Sequence, residues 1–180
     1  MHRLFVAIEI PEAIRLSLSL LQAGVPGARW VNPDNFHLTL RFIGEVPGPS
    51  VETVALELDR VTAPEHDITL EGVGSFGSAR TKSVLWAGIR QSEPLNFLRN
   101  KVDRGVVTAG FGPDDRKFSP HVTLAYAKRA PANRVTDWLT DHALFRSASI
   151  RVSQFVLMES RLGGEGAIYS EIARFDVESR

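Results

Sequence analysis

The sequence contains no cysteine among its 180 residues, which excludes disulfides, a thiol nucleophile and thiolate metal ligands. It also lacks any apolar run approaching the ~18 residues that a membrane-spanning helix needs. Glu9 interrupts the apolar segment near the N-terminus, and no small-residue cleavage site follows it. We therefore interpret this segment as a first strand, and we expect a cytoplasmic protein without a membrane partner.

Net charge is also absent, because 21 basic residues balance 21 acidic ones. Proteins that contact duplex DNA over a long footprint usually carry a basic excess, so we expect no duplex DNA partner. A small site for a single phosphate is compatible with this balance. Seventeen of the basic residues are arginine, whose planar guanidinium suits phosphate, although a general compositional bias towards arginine explains the same count.

The length and apolar content predict one folded unit. With 180 residues, 43% of them apolar, the chain can bury a normal core. No linker rich in proline, glycine or serine divides it. We expect residues 1–180 to form a single domain of two pseudo-symmetric lobes, and we expect a monomer.

Apolar periodicity and turn residues predict an alternation of helices and strands. Strands are predicted over residues 4–10, 36–43, 68–76, 83–89, 121–126, 150–158 and 167–177. Helices are predicted over residues 11–24, 50–61, 94–108 and 131–142, and a loop of small and basic residues over 77–82. This order is typical of an α+β fold in which helices cover the outer faces of antiparallel sheets.

A short motif occurs twice, as His37-Leu38-Thr39-Leu40 and as His121-Val122-Thr123-Leu124, and the two histidines lie 84 residues apart. The chain has 5 histidines, 9 threonines and 18 leucines, so chance predicts well under one His-x-Thr-Leu. A duplicated half-domain that brings two imidazoles to one cleft explains the pair.

Strand alternation places the polar members of each motif on one face. In the first motif, His37, Thr39 and Arg41 are predicted to share a face, opposite Leu38, Leu40 and Phe42. In the second motif, His121, Thr123 and Ala125 are predicted to share a face, opposite Val122, Leu124 and Tyr126.

Two imidazoles and two hydroxyls around one point suit the hydrolysis of a phosphodiester. Imidazole titrates near neutral pH, so one ring can take a proton from water while the other supplies one to the departing oxygen. Threonine hydroxyls can donate to the nonbridging oxygens. We expect no metal and no cofactor, because threonine is a poor ligand and neither motif supplies carboxylates. The histidines without a matching partner are predicted to lie at the surface: His2, His66 and His142.

The extended motifs resemble the 2H phosphoesterase superfamily, and within it the bacterial and archaeal RNA 2′,3′-cyclic phosphodiesterases, also called 2′-5′ RNA ligase-like proteins. The similarity rests on NFHLTLRFIGEV over residues 35–46 and on RKFSPHVTLA over 116–125. Further matching segments are RLFVAI over 3–8, VLWAG over 84–88, and LMES over 157–160 with Tyr169. The similarity extends over nearly the whole chain.

This resemblance implies a bilobal α+β fold, with two antiparallel sheets that face a central cleft. It implies metal-independent opening of a 2′,3′-cyclic phosphate to a 2′-phosphomonoester, on RNA ends or small nucleotides. His37 and His121 are the implied catalytic pair, and Thr39 and Thr123 the implied phosphate-binding residues. In this scheme His37 protonates the departing 3′ oxygen and His121 activates water; the reverse reaction with a 5′-hydroxyl is 2′-5′ joining.

The chain departs from the resemblance after the second motif, where family members often carry arginine and this chain has Tyr126. Lys128, Arg129 or Arg41 are candidates for the missing contact with phosphate or ribose. Phe118 and Phe36, which lie beside the two histidines in the sequence, are candidates for stacking on a base, with core packing as the alternative for each.

Two other functions fit the same residues. One is a nucleotide- or RNA-binding module that has the cleft but no turnover. The other is a 2H phosphodiesterase for a different substrate, such as 2′-5′ oligoadenylate. The sequence leaves this choice open.

Overall fold

Strands and helices alternate along the whole of the described chain. The computed structural model describes residues 1–77, 82–164 and 166–177, so the predicted loop over 77–82 lies almost entirely outside the described residues. The elements in chain order are β1 (His2–Glu9), α1 (Glu12–Ser19), β2 (Arg29–Trp30), β3 (His37–Val46), α2 (Gly48–Asp59), β4 (His66–Ile68), β5 (Leu70–Gly77), β6 (Lys82–Ile89), α3 (Glu93–Thr108), β7 (His121–Tyr126), α4 (Ala132–Asp141), β8 (Ile150–Val152), β9 (Gln154–Gly163) and β10 (Gly166–Asp176). None of the described helices combines the length and the apolar character that crossing a membrane requires.

The strands form one large and one small sheet, and every pairing between them is antiparallel. The large sheet has the order β10-β9-β1-β3-β7-β6-β5, with β2 beside β7, and the small sheet pairs β4 with β8. The α+β class predicted from the sequence is confirmed. The structure also shows how the two halves of the large sheet are joined. Strand β3 pairs with β7 at Leu38 and Val122.

Two predicted strands are each divided in the structure. The segment predicted over 68–76 contains the end of β4 and most of β5, and the segment predicted over 150–158 contains β8 and the first half of β9. The divisions fall at Thr69 and Ser153, where the chain passes from the small sheet to the large one. An unbroken apolar pattern does not reveal such a change of partner, because both pieces bury side chains.

One hydrophobic core lies between the sheet and the helices. Residues of all four helices and of the central strands belong to a single buried cluster, including Ile14, Leu18, Val54, Leu58, Leu98, Val102, Val135 and Trp138. Along β1 the side chains alternate as predicted: Leu4, Val6 and Ile8 belong to this cluster, whereas Phe5 and Ala7 lie in a separate cluster on the opposite face. Each large side chain buried in this way contributes about 1.5–3 kcal/mol.

A β-bulge interrupts the alternation of β3 directly after the first motif. Thr39 pairs with Ala7, and the next pair of the ladder involves Arg41, so Leu40 has no partner. Leu40 and Arg41 are therefore both buried on the helix side, and Phe42, at 50% exposure, returns to the other face. The predictions that Arg41 shares a face with His37 and Thr39, and that Phe42 shares one with Leu38 and Leu40, are wrong, because simple alternation does not allow for the extra residue.

The same bulge occurs in β7 directly after the second motif. Thr123 pairs with Trp86, the next pair involves Ala125, and Leu124 is passed over. Leu124 and Ala125 are buried, whereas Tyr126 is 42% exposed. Two predictions are wrong for the same reason: that Ala125 shares a face with His121 and Thr123, and that Tyr126 shares one with Val122 and Leu124.

Arg41 uses its buried position to hold three parts of the chain together. Its Nε lies 2.7 Å from Oδ1 of Asp103 on α3, and its Nη1 lies 3.6 Å from Oδ2 of Asp114 in the loop that leads to β7. Nη1 also donates to the carbonyl of Phe42 at 2.7 Å, and Nη2 donates to the carbonyl of Gly112. The guanidinium thus fastens the loop before the second motif to the strand of the first.

We predict that Arg41→Met lowers the free energy of unfolding by about 3–5 kcal/mol, because it leaves the poorly hydrated carboxylate of Asp103 without its cation. Asp114 keeps Arg99 and Arg116 as partners, so its share of this loss is smaller. Urea denaturation monitored by circular dichroism measures this loss. Arg60→Met is the matched control: Arg60 forms an exposed ion pair with Glu57, and its removal is expected to change stability by at most about 1 kcal/mol. Equal, small effects of the two substitutions would show that the Arg41 network does not stabilise the fold.

Candidate active site

The two motifs lie side by side at the centre of the large sheet. Leu38 of β3 pairs with Val122 of β7 in antiparallel register. Continuing this register by one residue in each direction sets His37 across from Thr123 and Thr39 across from His121. Each imidazole is therefore next to the hydroxyl of the other motif, on the face away from the helices.

Both imidazoles are held in the same way by the backbone. His37 Nδ1 lies 2.7 Å from the carbonyl oxygen of Asn35, and His121 Nδ1 lies 2.7 Å from the carbonyl oxygen of Ser119. A carbonyl oxygen only accepts, so Nδ1 carries the proton and donates it in both rings. Nε2 is then the nitrogen that gains or loses a proton, and it is the one available to a ligand.

Aromatic rings surround the two histidines. The ring of Phe5 lies 4.9 Å from that of His37, and Tyr169 meets His37 edge-on at 5.2 Å. On the other side, Phe76 meets His121 edge-on at 4.8 Å, and Trp86 lies 6.0 Å away. These rings displace water from the imidazoles.

The pKa values of both histidines are shifted by this environment. Burial lowers the pKa of His37, the hydrogen bond to Asn35 partly opposes this, and the charge of His121 lowers it further. Burial also lowers the pKa of His121, with partial opposition from the hydrogen bond to Ser119. The effect of one imidazole on the other shows that they are close enough to repel each other when both are protonated.

The two threonine hydroxyls have no hydrogen-bond partner among the described residues. Thr39 and Thr123 are half-buried, and each is two residues from its histidine on the same face. The two hydroxyls can therefore donate hydrogen bonds to one anion, and Nε2 of each imidazole can donate to the same anion when that ring is protonated. Such an arrangement can move a proton to and from a phosphoryl group while holding its oxygens.

A cavity of about 430 Å³ opens beside His37. Its floor is apolar and includes Ala7, Val156 and Met158, and Tyr169 forms a wall next to His37. The rest of the lining combines polar residues with a few apolar ones, namely Glu9, Glu12, Arg15, Asp34 and Asn35 with Ile10, Pro11 and Phe36. An apolar floor with a largely polar lining suits a small organic group such as a nucleoside.

The three predicted substrate contacts have different outcomes. Arg41 is buried away from the histidines, so its prediction as a substrate contact is corrected by the bulge in β3. Phe118 is half-buried against the core, with the guanidinium of Arg99 5.6 Å from its ring centre, so the structure uses it for packing. Tyr126 is exposed on the face of the histidines, with the guanidinium of Arg29 5.0 Å from its ring centre.

Several residues of this site were not among the predicted site residues. Phe5 and Phe42 lie on the cleft face, 6.0 Å apart, and Trp86 and Tyr169 flank the two imidazoles. The alternation of β1 indicated that Phe5 faces away from the core. The others lie in segments that resemble the family, but nothing in the sequence indicated that they contact the histidines, because they reach them through strand pairing.

The remaining histidines lie away from this site. His2 forms an ion pair with Glu159 at 2.8 Å, and the ring of His142 meets Trp138 edge-on. His66 is buried, so its predicted surface position is wrong. Among the described residues, no group of three or more histidine, aspartate or glutamate side chains is placed to hold a metal ion.

Comparison with known sequences finds one family over most of the chain. The family described as LigT-like phosphoesterase matches residues 8–86 and 89–169. The RNA 2′,3′-cyclic phosphodiesterase of Archaeoglobus fulgidus is 31% identical over 177 residues, which cover 97% of this chain and 99% of the relative. The protein of the same name from Aeropyrum pernix is 35% identical over 162 residues, which cover 88% and 90%.

Solved structures show the same similarity over the whole length. Escherichia coli LigT, crystallised in complex with 3′-AMP, matches with a TM-score of 0.81 and 28% identity over 99% of both chains. The protein TT0787 of Thermus thermophilus matches with a TM-score of 0.83 and 26% identity over 98% of both chains.

We predict that the imidazole titrations of His37 and His121 both have midpoints below 6.5, because burial disfavours the protonated rings. His121→Asn is expected to raise the midpoint of His37, since it removes the neighbouring positive charge. NMR titration of the ring protons measures both midpoints, with His142→Asn as the control that leaves them unchanged. A midpoint of His37 that does not respond to His121→Asn would contradict the proximity of the rings.

The same shifts make stability depend on pH. The unfolded chain binds protons at these histidines from about pH 6.5 downwards, whereas the folded chain binds them only at lower pH. The free energy of unfolding should therefore decrease as the pH falls below 6.5 through the folded pKa values. His37→Asn should weaken this dependence, which urea denaturation at a series of pH values can measure.

Proposed function

The chain belongs to the LigT-like phosphoesterase family, and from this membership we propose that it hydrolyses the 2′,3′-cyclic phosphate of RNA ends or small nucleotides to a 2′-phosphomonoester. With a 5′-hydroxyl in place of water, the reverse reaction joins RNA by a 2′-5′ bond. The observation that carries this proposal is the pair of imidazoles, each fixed at Nδ1 by a backbone carbonyl and each with Nε2 free.

The reaction needs one base and one acid at the same phosphorus. In our proposal neutral His121 takes a proton from water through Nε2, and the resulting hydroxide attacks phosphorus. The bond from phosphorus to the 3′ oxygen breaks, and protonated His37 supplies the proton that this oxygen needs. The 2′ bond remains, so the product is a 2′-phosphomonoester and a 3′-hydroxyl.

Thr39 and Thr123 are proposed to bind the nonbridging oxygens of the phosphate. Their hydroxyls have no described protein partner to give up, so both are available as donors when the substrate enters. Donors fixed on strands stabilise the charge that grows on these oxygens in the transition state without having to reorganise. No step in this scheme requires a metal or a cofactor.

The proposed substrates agree with what the relatives are called and with the space beside His37. Relatives from two archaea carry the name RNA 2′,3′-cyclic phosphodiesterase, and LigT has been crystallised with 3′-AMP. The cavity of about 430 Å³ next to His37 is large enough for a nucleoside. A nucleotide can therefore place its phosphate at the histidines and its base or ribose in the cavity.

We further propose that one copy of residues 1–180, a single domain of two lobes, acts alone in the cytoplasm. All four helices share one core, which supports a single folded unit. Light scattering at the concentration used for activity measurements tests the monomeric state.

We predict that His37→Ala and His121→Ala each reduce turnover of 2′,3′-cyclic AMP by about 10²–10⁴-fold, because each removes one proton transfer. His142→Ala is the matched control and should retain full activity. Steady-state kinetics with chromatographic separation of 2′- from 3′-AMP gives both the rate and the position of cleavage.

The same assay separates the alternatives. Full activity in either cleft variant would refute the two-histidine mechanism. Saturable binding of 2′,3′-cyclic AMP without any product from the wild-type chain would instead indicate a binding module, and turnover of 2′-5′ oligoadenylate alone would indicate a different substrate. Activity that is lost on treatment with EDTA and restored by a divalent cation would contradict the metal-independent scheme.

A different substrate tests whether His37 is the acid and His121 the base. An aryl phosphodiester whose phenol is acidic needs no proton on its leaving group. His37→Ala should therefore recover most of its lost rate on this substrate, whereas His121→Ala should not. The opposite pattern of recovery would exchange the two roles.

A further inference from the structure

Two arginines on the cleft side have no carboxylate partner among the described residues. Many of the other arginines are ion-paired, including Arg15, Arg41, Arg60, Arg99, Arg116, Arg134, Arg151, Arg161 and Arg174. Arg3 precedes Phe5 on the cleft face of β1, and Arg29 lies in β2 opposite Tyr126 of β7. In a chain without net charge, these guanidiniums are a local excess of positive charge.

Arg29 reaches from one half of the sheet towards the other. Its guanidinium lies over the ring of Tyr126, 5.0 Å from the ring centre. A β-carbon placed on Gly166, at the start of β10, would be 3.7 Å from Arg29 Nη1. Because the ring covers one face of the guanidinium, the N–H groups at its edge are left to bind a ligand.

Arg3 and the two tyrosines lie in the same region. Leu4 of β1 pairs with Glu159 of β9, and Tyr169 of β10 pairs with Ser160 of β9, so continuing this register sets Arg3, Ser160 and Tyr169 in line across three strands. The effects of Arg3 and Tyr126 on the pKa of Tyr169 agree with this arrangement. Tyr169 in turn meets His37 edge-on at 5.2 Å. The cluster of Arg3, Arg29, Tyr126 and Tyr169 is thus adjacent to the histidines and separate from the two threonines.

We infer that Arg29 and Arg3 bind the phosphate on the 5′ side of the terminal nucleotide when the substrate is an RNA strand. The inference rests on the proposed function, in which the cyclic phosphate occupies the histidines. In such a strand the next phosphate follows one ribose away, and we assign it to this cluster because Tyr169, a member of the cluster, contacts His37. Guanidinium groups donate to phosphate in pairs of parallel hydrogen bonds, and neutral tyrosine hydroxyls add further donors.

The test compares a mononucleotide with a dinucleotide. The substrates are 2′,3′-cyclic AMP and the adenosine dinucleotide that ends in a 2′,3′-cyclic phosphate, which alone contains the additional phosphate. Arg29→Gln is expected to raise KM for the dinucleotide about tenfold, with unchanged kcat and with unchanged KM for 2′,3′-cyclic AMP. The double variant with Arg3→Gln should raise it further.

Salt dependence provides a second readout. The logarithm of kcat/KM for the dinucleotide should fall as salt concentration rises, because salt screens the attraction between Arg29 and the second phosphate, and this dependence should weaken in Arg29→Gln. Arg104→Gln is the matched control, because Arg104 is exposed on α3 and has no ion pair among the described residues. It should change neither KM nor the salt dependence.

Three results would overturn the inference. Equal losses on both substrates would place Arg29 at the cyclic phosphate instead of the next one. No loss on either substrate would show that the cluster does not bind RNA, and a wild-type KM that is the same for both substrates would show that the second phosphate is not recognised. If the wild-type chain turned over neither substrate, the proposed function itself would fail.

Discussion

The arrangement of the site depends on one pairing, that of Leu38 with Val122 between β3 and β7. Both side chains are fully buried, so the register is fixed by the core, because a slip of one residue would turn each motif over and expose its leucines. The same pairing brings two histidines that are 84 residues apart in the sequence onto one face. Packing on the helix side of the sheet therefore fixes the positions of the histidines on the cleft side.

The paired bulges extend this control beyond the motifs. In both strands the extra residue follows the threonine of the motif. As a result, Phe42 of β3 and Tyr126 of β7 face the cleft. The residues that the bulges turn inwards differ, since Arg41 is charged and Ala125 is small. Because Arg41 is charged, the strand of the first motif can pair with Asp114, which lies in the loop that leads to the second motif.

The two halves of the site share their chemistry but differ in their surroundings. His37 is bordered by Tyr169 of β10 and by a cavity, whereas His121 is bordered by Phe76 and Trp86. Trp86 lies flat across β5 because residue 74 is glycine; a β-carbon there would be 2.2 Å from the indole ring. A substrate with two unlike ends can thus be bound in one orientation, which is what a fixed division between acid and base requires.

The sequence by itself determined the chemistry and the class of fold. A duplicated His-x-Thr-Leu in alternating strands specifies which side chains oppose the core, because the period of a strand is two wherever pairing is regular. The tertiary structure alone decided where that period is broken. The bulges moved Arg41 into the core and Tyr126 into the cleft, and β10 brought Tyr169 to His37 from far along the chain. These placements follow from which strands pair and in what register, and such contacts between distant segments leave no periodic signal in the sequence of either one.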